Sequence, residues 1–291
     1  WVRDTCHAAF RCQNLLAPDE ARESLSYISE HGFNNGVDCA AMPAIAAWDH
    51  YITTGDIQLL YEMLPGIIKY AEEADARYDE EMQLVHATMC LAQDAFEEPE
   101  NGGYCLGTEI AFALMYQDVA RICEVTGCYP ERIKFWESRS KEMLASIKEK
   151  YWNEEKECLY DVLEPDKKDD KVRPNQIYAV SLPYTMMSKE REKRVVEKVK
   201  DELYAGCGLR SLAPEDPDYH GVYSGCLAKR DAAYHQGTAW GFLLGGFFTA
   251  YIKVYGHSAQ TMERVKEMLL PGQKHLTKGC VGTIAEIFDG N

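Results

Sequence analysis

Two kinds of helical segment alternate along this chain, and that alternation constrains its fold more than any other feature. Apolar residues recur at three- and four-residue intervals through most of the sequence, whereas strand-like alternation is scarce. Segments such as Ala40 to Trp48 and Trp240 to Phe248 are built from small and aromatic residues with almost no charge, while segments such as Lys189 to Leu203 are amphipathic. A helix apolar on every side must be covered nearly all round, and an amphipathic one needs cover on one face only. An inner ring of buried helices wrapped by an outer amphipathic ring satisfies both demands. The expected fold is therefore all-α, an (α/α)6 toroid.

The periodicity predicts about eleven helices: residues 4–16, 18–30, 37–54, 57–64, 65–78, 108–126, 130–152, 174–186, 189–203, 232–255 and 259–270. Pro18 opens one of them. Gly55 and Gly127 end two others, Ser188 supplies an N-cap, and Pro271-Gly272 closes the last. The charged stretches Lys148 to Lys156 and Glu164 to Lys171 are short and followed at once by apolar helices, so residues 1–291 read as a single catalytic-size domain. Because the chain opens on Trp1 and not Met, it reads as a fragment of a longer protein.

A chain of 291 residues can bury a core without disulfides or a structural metal. Its 47 Asp and Glu against 31 Lys and Arg leave a formal charge of −16, which repels nucleic acid and anionic membrane surfaces. The longest apolar runs fall short of the roughly 20 residues that span a bilayer. Eleven cysteines, none in a Cys-x-x-Cys pair, read as small buried hydrophobes in a reducing compartment, and a cytoplasmic location follows. No phosphate-binding loop, His-Glu-x-x-His or Gly-x-Ser-x-Gly motif is present. The histidines form no metal-ligand pattern, with His50 and His257 expected at the surface or capping helix ends, so no cofactor is expected. Met186, Met187 and Trp136 read as core.

In a toroid the chemistry belongs to loops converging at one end of the ring. The polar, aromatic loops here mix carboxylates, amides, Arg, His and rings with glycines, a composition suited to sugars: rings cover the apolar face of a pyranose and fixed polar groups answer its hydroxyls. Arg230 to Trp240 packs seven hydrogen-bonding residues into eleven positions before an apolar helix; the plainer alternative is that Asp231 caps that helix and His235 is an ordinary interior histidine. Glu286 sits between apolar neighbours, either partly desolvated or pointing into water from a turn. Asp94 precedes a Glu, Pro, Asn and Gly loop, as a candidate acid or as an ordinary loop residue.

Several stretches together resemble the amylo-α-1,6-glucosidase domain of glycogen debranching enzymes, through most of the chain. They are Trp1-Val2-Arg3-Asp4-Thr5, Phe33 to Asp38, Tyr51 to Asp56, Arg173-Pro174-Asn175-Gln176, Gly208 to Leu212, Tyr219 to Gly225, Tyr234-His235-Gln236-Gly237-Thr238 and Glu286-Ile287-Phe288-Asp289-Gly290. The resemblance implies an inverting hydrolase with Asp94 as general acid and Glu286 as general base. It also implies a glucose pocket lined by Trp1, Arg3, Asp4, Asn35, Asp38, Glu109, Arg173, Asn175, His235, Gln236 and Trp240, with Arg3 and Arg173 supplying positive potential. The implied partner is an α-glucan, cut at the α-1,6-linked glucose of a debranched chain. Departures from the family pattern are also visible. Leu91-Ala92-Gln93-Asp94-Ala95 stands where the family has Trp-Met-Asp-Ala, and Trp240-Gly241-Phe242 replaces Trp-Pro-Trp. The chain stops five residues after Glu286, so the toroid is expected to lack its last helix. Two alternatives stay open: a carbohydrate-binding toroid without catalysis, and a hydrolase of the same fold for another linkage.

Overall fold

Apolar spacing becomes helix throughout the computed structural model, which describes residues 2–31, 40–86, 103–184, 186–278 and 282–291, and of Arg11 the backbone alone. The chain divides into two compact units, one ending at Ile147 and the other running from Lys148 to Asn291. The division falls inside a helix, at the start of the charged stretch Lys148 to Lys156.

The first unit carries α1 (Val2–Ala8), α2 (Asn14–Leu16), α3 (Pro18–His31), α4 (Met42–Thr54), α5 (Ile57–Asp75), α6 (Leu106–Thr126) and α7 (Ile133–Lys150). A π-helical turn, Ala9–Gln13, joins α1 to α2. In this unit the expected alternation of textures is realised. α4 buries every residue from Met42 to Ala47 together with Asp49 and His50, and α6 is buried on all sides from Leu106 to Tyr116. Between and beside them, α3, α5 and α7 bury one stripe each, such as Ala21, Leu25 and Ile28 in α3 and Trp136, Met143 and Ile147 in α7. α4 packs against α1, α5 and α6.

Helix boundaries follow the caps where a cap exists. Gly55 and Gly127 take left-handed φ values of 79° and 70° and end α4 and α6. Asp56 accepts from the amides of Gln58 and Leu59 and starts α5. The expected break at Pro65 does not occur, because α5 runs unbroken through it. A proline inside a helix costs about 3 kcal/mol, and the buried stripe of Leu59, Leu60, Met63, Leu64, Ile67 and Ile68 on both sides of it offsets that cost. His50, expected at the surface or capping a helix, is instead buried and hydrogen-bonded to Asn14 Oδ1 at 3.0 Å. Two short strands, β1 (Tyr78–Asp79) and β2 (Leu84–Val85), pair as a hairpin, and β3 (Tyr104–Cys105) leads into α6.

In the second unit β4 (Trp152–Asn153) pairs with β5 (Cys158–Leu159) and β6 (Val162–Leu163) with β7 (Lys168–Asp169). A 3-10 turn, Pro174–Ile177, precedes α8 (Tyr178–Ser181), and α9 (Lys189–Lys198), capped by Ser188, continues as a π-helical turn to Leu203. Then come β8 (Leu209–Arg210), α10 (Leu227–Tyr234), β9 (Ala239–Trp240), α11 (Leu244–Tyr255), α12 (Ala259–His275) and β10 (Ile287–Phe288). α11 packs against α8, α9 and α12. It buries Phe247, Phe248 and Ala250 but leaves Gly245 and Thr249 exposed, so the all-round cover expected for this segment is absent among the described residues. Pro271 does not close α12, which runs on to His275. Met186, Met187 and Trp136 are core, as expected. Of the free thiols described, Cys6, Cys105, Cys123 and Cys158 are buried, whereas Cys12 and Cys226 are exposed.

The stretch expected as one helix from Ala232 to Tyr255 is instead helix, turn, strand and helix. Gly237 forces the reversal. Its φ is 143°, and a β-carbon there would lie 2.7 Å from the Tyr219 ring and 2.8 Å from the His220 carbonyl carbon. Asp231 accordingly lies within α10 and does not cap α11.

Candidate active site

The turn after Gly237 brings the polar and aromatic residues of the second unit together. β9 is the middle strand of a three-stranded antiparallel sheet in the order β10-β9-β8, with Trp240 opposite both Ile287 and Leu209. This pairing sets Glu286, the residue before β10, beside the end of α10. The Tyr234 hydroxyl donates to Glu286 Oε2 at 2.9 Å. Glu286 is exposed, so of the two settings its sequence leaves open the solvent-facing one is found. Backbone pairing of Ile287 and Phe288, which are themselves only half-buried, accounts for its apolar neighbours.

Around Tyr234 the rings are held at defined angles. His235 stacks on Trp240 with centroids 5.0 Å apart and planes 7° apart. Tyr234 meets both edge-on, at 4.6 Å and 4.7 Å. The Trp240 indole N–H donates to the Tyr234 carbonyl at 3.1 Å. Trp240 is only 8% exposed, and the half-buried Tyr234 is the more open of the two rings.

Beneath this cluster lies a buried polar strut. Extended backbone at Arg173 followed by Pro174 starts the 3-10 turn, and Arg173, Asn175 and Gln176 are buried with it. Arg173 Nη1 donates to the carbonyls of Ser211 and His235, both at 2.9 Å, and Nη2 donates to Gln236 Oε1 at 3.0 Å. Its Nε lies 3.6 Å from Asp161 Oδ2, and Asn175 Nδ2 donates to Asp161 Oδ1 at 2.7 Å. Arg173 is 2% exposed, so its charge acts inside the protein, where it draws the buried Asp161 carboxyl toward its ionised form. Its work is to hold the His235-Gln236 segment in place.

Asp161 is a residue of this cluster that sequence does not single out. It lies in Tyr160-Asp161-Val162, just ahead of a charged surface stretch, and neither periodicity nor motif separates it from its neighbours. Burial pushes its carboxyl up to about 6, against the opposing pull of Arg173 and the Asn175 hydrogen bond. A carboxyl raised from 3.8 binds its proton more tightly in the native state. Its contribution to stability is therefore complete below about pH 4 and is lost as pH rises through about 6, a change of ~3 kcal/mol. Asp161→Asn should flatten the fall in thermal midpoint between pH 4 and pH 6.5. Superimposable profiles for variant and wild type would remove Asp161 as its source.

Three of the expected site residues that the structure describes belong to the first unit. Arg3 is half-buried and Asp4 exposed on α1. Glu109, in the first turn of α6, is wholly buried; its Oε2 accepts from the Val85 amide at 2.9 Å, and its Oε1 has no hydrogen-bond partner among the described residues. Burial raises its carboxyl well above the ordinary range. Trp1, Asn35, Asp38 and Asp94 lie outside the described residues. Among the described residues no cluster of His, Cys, Asp and Glu is arranged to hold a metal, and no helix is long and apolar enough to cross a membrane.

A family model described as Amylo-alpha-1,6-glucosidase matches residues 106–291. Among solved structures, the chain is similar to an uncharacterized conserved protein from Thermus thermophilus, with a TM-score of 0.70 at 11% identity over all of this chain and 87% of that one. It is equally similar to the GH63 mannosylglycerate hydrolase of Thermus thermophilus in complex with glucose, with a TM-score of 0.70 at 10% identity and the same coverage. A GH78 family rhamnosidase of Bacillus sp. GL1 superposes with a TM-score of 0.62 at 13% identity, over 99% of this chain and 28% of that one. With the helices described above, these likenesses give the fold class expected from sequence, the all-α (α/α)6 toroid.

Proposed function

The chain belongs to the amylo-alpha-1,6-glucosidase family of glycoside hydrolases, and from that premise we propose that it removes an α-1,6-linked glucose from a debranched α-glucan with inversion at the anomeric carbon. The family match carries the reading. The open Glu286 carboxylate beside Tyr234, His235 and Trp240 supports it, because an ionised carboxylate near an aromatic wall can activate water against a bound pyranose.

In this reading Glu286 is the general base and Asp94 the general acid of one catalytic domain spanning residues 1–291. Asp94 gives its proton to the leaving sugar oxygen. Glu286 takes a proton from the water that attacks the opposite face, a geometry that separates the two carboxyls by about 6.5–9.5 Å. The residues proposed to bind the sugar are Trp1, Arg3, Asp4, Asn35, Asp38, Glu109, Asn175, Gln236 and Trp240, while Arg173 holds the His235-Gln236 segment in place. The reaction needs no cofactor, and the free thiols suit a cytoplasmic enzyme working on a glycogen-type substrate.

Proton NMR of the first turnovers tests this directly. With a glucan carrying single α-1,6 glucose stubs, β-glucose should appear before mutarotation, and maltose should release none. Either α-glucose as the first product or sugar binding with no product at all overturns the reading.

A further inference from the structure

We propose that Tyr234 is the positioning residue of the base: its phenol fixes the plane of the Glu286 carboxylate so that Oε1 is presented to the attacking water. The inference rests on the reading of Glu286 as base. Glu286 is an exposed side chain preceding a two-residue strand, a setting in which a glutamate ordinarily samples several rotamers. Among the described residues Tyr234 is the one hydrogen-bond donor it has, at 2.9 Å to Oε2. An ionised carboxylate only accepts, so occupying Oε2 leaves the lone pairs of Oε1 for the O–H of a water.

Tyr234 is itself held by three neighbouring rings. It meets His235 and Trp240 edge-on and Tyr223 at a tilt, with centroids 5.7 Å apart in the last case. Its carbonyl accepts from the Trp240 indole and from the Thr238 hydroxyl. The next carbonyl, that of His235, accepts from Arg173. The buried strut therefore reaches the exposed base through one phenol. Asp289, three residues beyond Glu286, accepts from the Tyr223 amide at 2.8 Å, which ties the far side of the same segment.

Tyr234→Phe keeps every ring contact and removes only the hydroxyl. It should lower kcat by about 10- to 100-fold while KM changes by less than about twofold and the thermal midpoint is unmoved. In a Glu286→Gln background the same substitution should cause no further loss, because the oriented base is already gone. A Tyr234→Phe enzyme with wild-type kcat beside a disabled Glu286→Gln overturns the positioning role and leaves the base in place. Equal losses from Tyr234→Phe in both backgrounds overturn it as well. Full turnover in Glu286→Gln alone removes the base assignment and this inference with it.

Discussion

Glu286→Gln is expected to lower kcat by at least about 10²-fold, the lower end of what general acid–base catalysis contributes, with KM and thermal midpoint nearly unchanged. The side chain is exposed, so exchanging a carboxylate for an amide of the same shape removes no buried contact. The amide oxygen can still accept from the Tyr234 hydroxyl, which preserves the local geometry. What is lost is the capacity to take a proton from water. Azide needs no deprotonation to attack, so adding it should restore turnover in this variant and yield β-glucosyl azide, with Asp94 still protonating the departing oxygen. Asp94→Asn should show a loss of similar size that azide does not repair, because its defect lies on the leaving-group side. Wild-type glucose release by either variant would take that residue out of the mechanism.

The helices of the first unit are legible in the sequence because their physics is local. α4 and α6 carry small and apolar residues on every face, α3 and α5 carry one stripe, and the glycines at 55 and 127 mark two ends, all of which can be read from spacing alone. Pro65 misleads because the penalty of a proline within a helix is visible in sequence, whereas the flanking stripe that outweighs it belongs to packing. At 232–255 the apolar count is compatible with one long helix. The reversal there depends on Tyr219 and His220 closing over Gly237, a contact between segments that periodicity does not register.

Within the site, the motifs locate the residues but not their duties. The family resemblance implies Arg173 as a source of positive potential, and in the fold three acceptors and Asp161 enclose that charge. The resemblance implies Trp240 as a residue lining the pocket, and His235 stacks on its ring. Sequence leaves Glu286 either partly desolvated or pointing into water, and strand pairing decides it by turning the side chain outward to Tyr234. Asp161 escapes notice and Tyr234 is legible only as part of its motif, since each acts through a partner distant in sequence, and a single sequence holds no record of such pairing.

That buried strut makes Arg173 the position where substitution should cost the most stability. Arg173→Met keeps the length of the side chain while deleting three hydrogen bonds and the charge facing Asp161, and it should destabilise the protein by about 3–5 kcal/mol, the usual cost of stranding one member of a buried ion pair. In a chain of this size that lowers the thermal midpoint on the order of 10 °C. Asp161, already raised to about 6 with Arg173 beside it, loses its main opposing charge and should take up a proton at still higher pH, so the deficit grows as pH rises from about 5 to about 8. Adding Asp161→Asn removes the stranded charge while keeping an oxygen for Asn175, and the double variant should regain about 1 kcal/mol or more over Arg173→Met. Strictly additive losses in chemical denaturation of the two single variants and the double would mean that Asp161 and Arg173 are not coupled. The carbonyls of His235 and Ser211 would then owe their placement to the sheet alone. Coupling of the expected sign makes the ion pair the support on which the Tyr234 turn, and through it the base, is held.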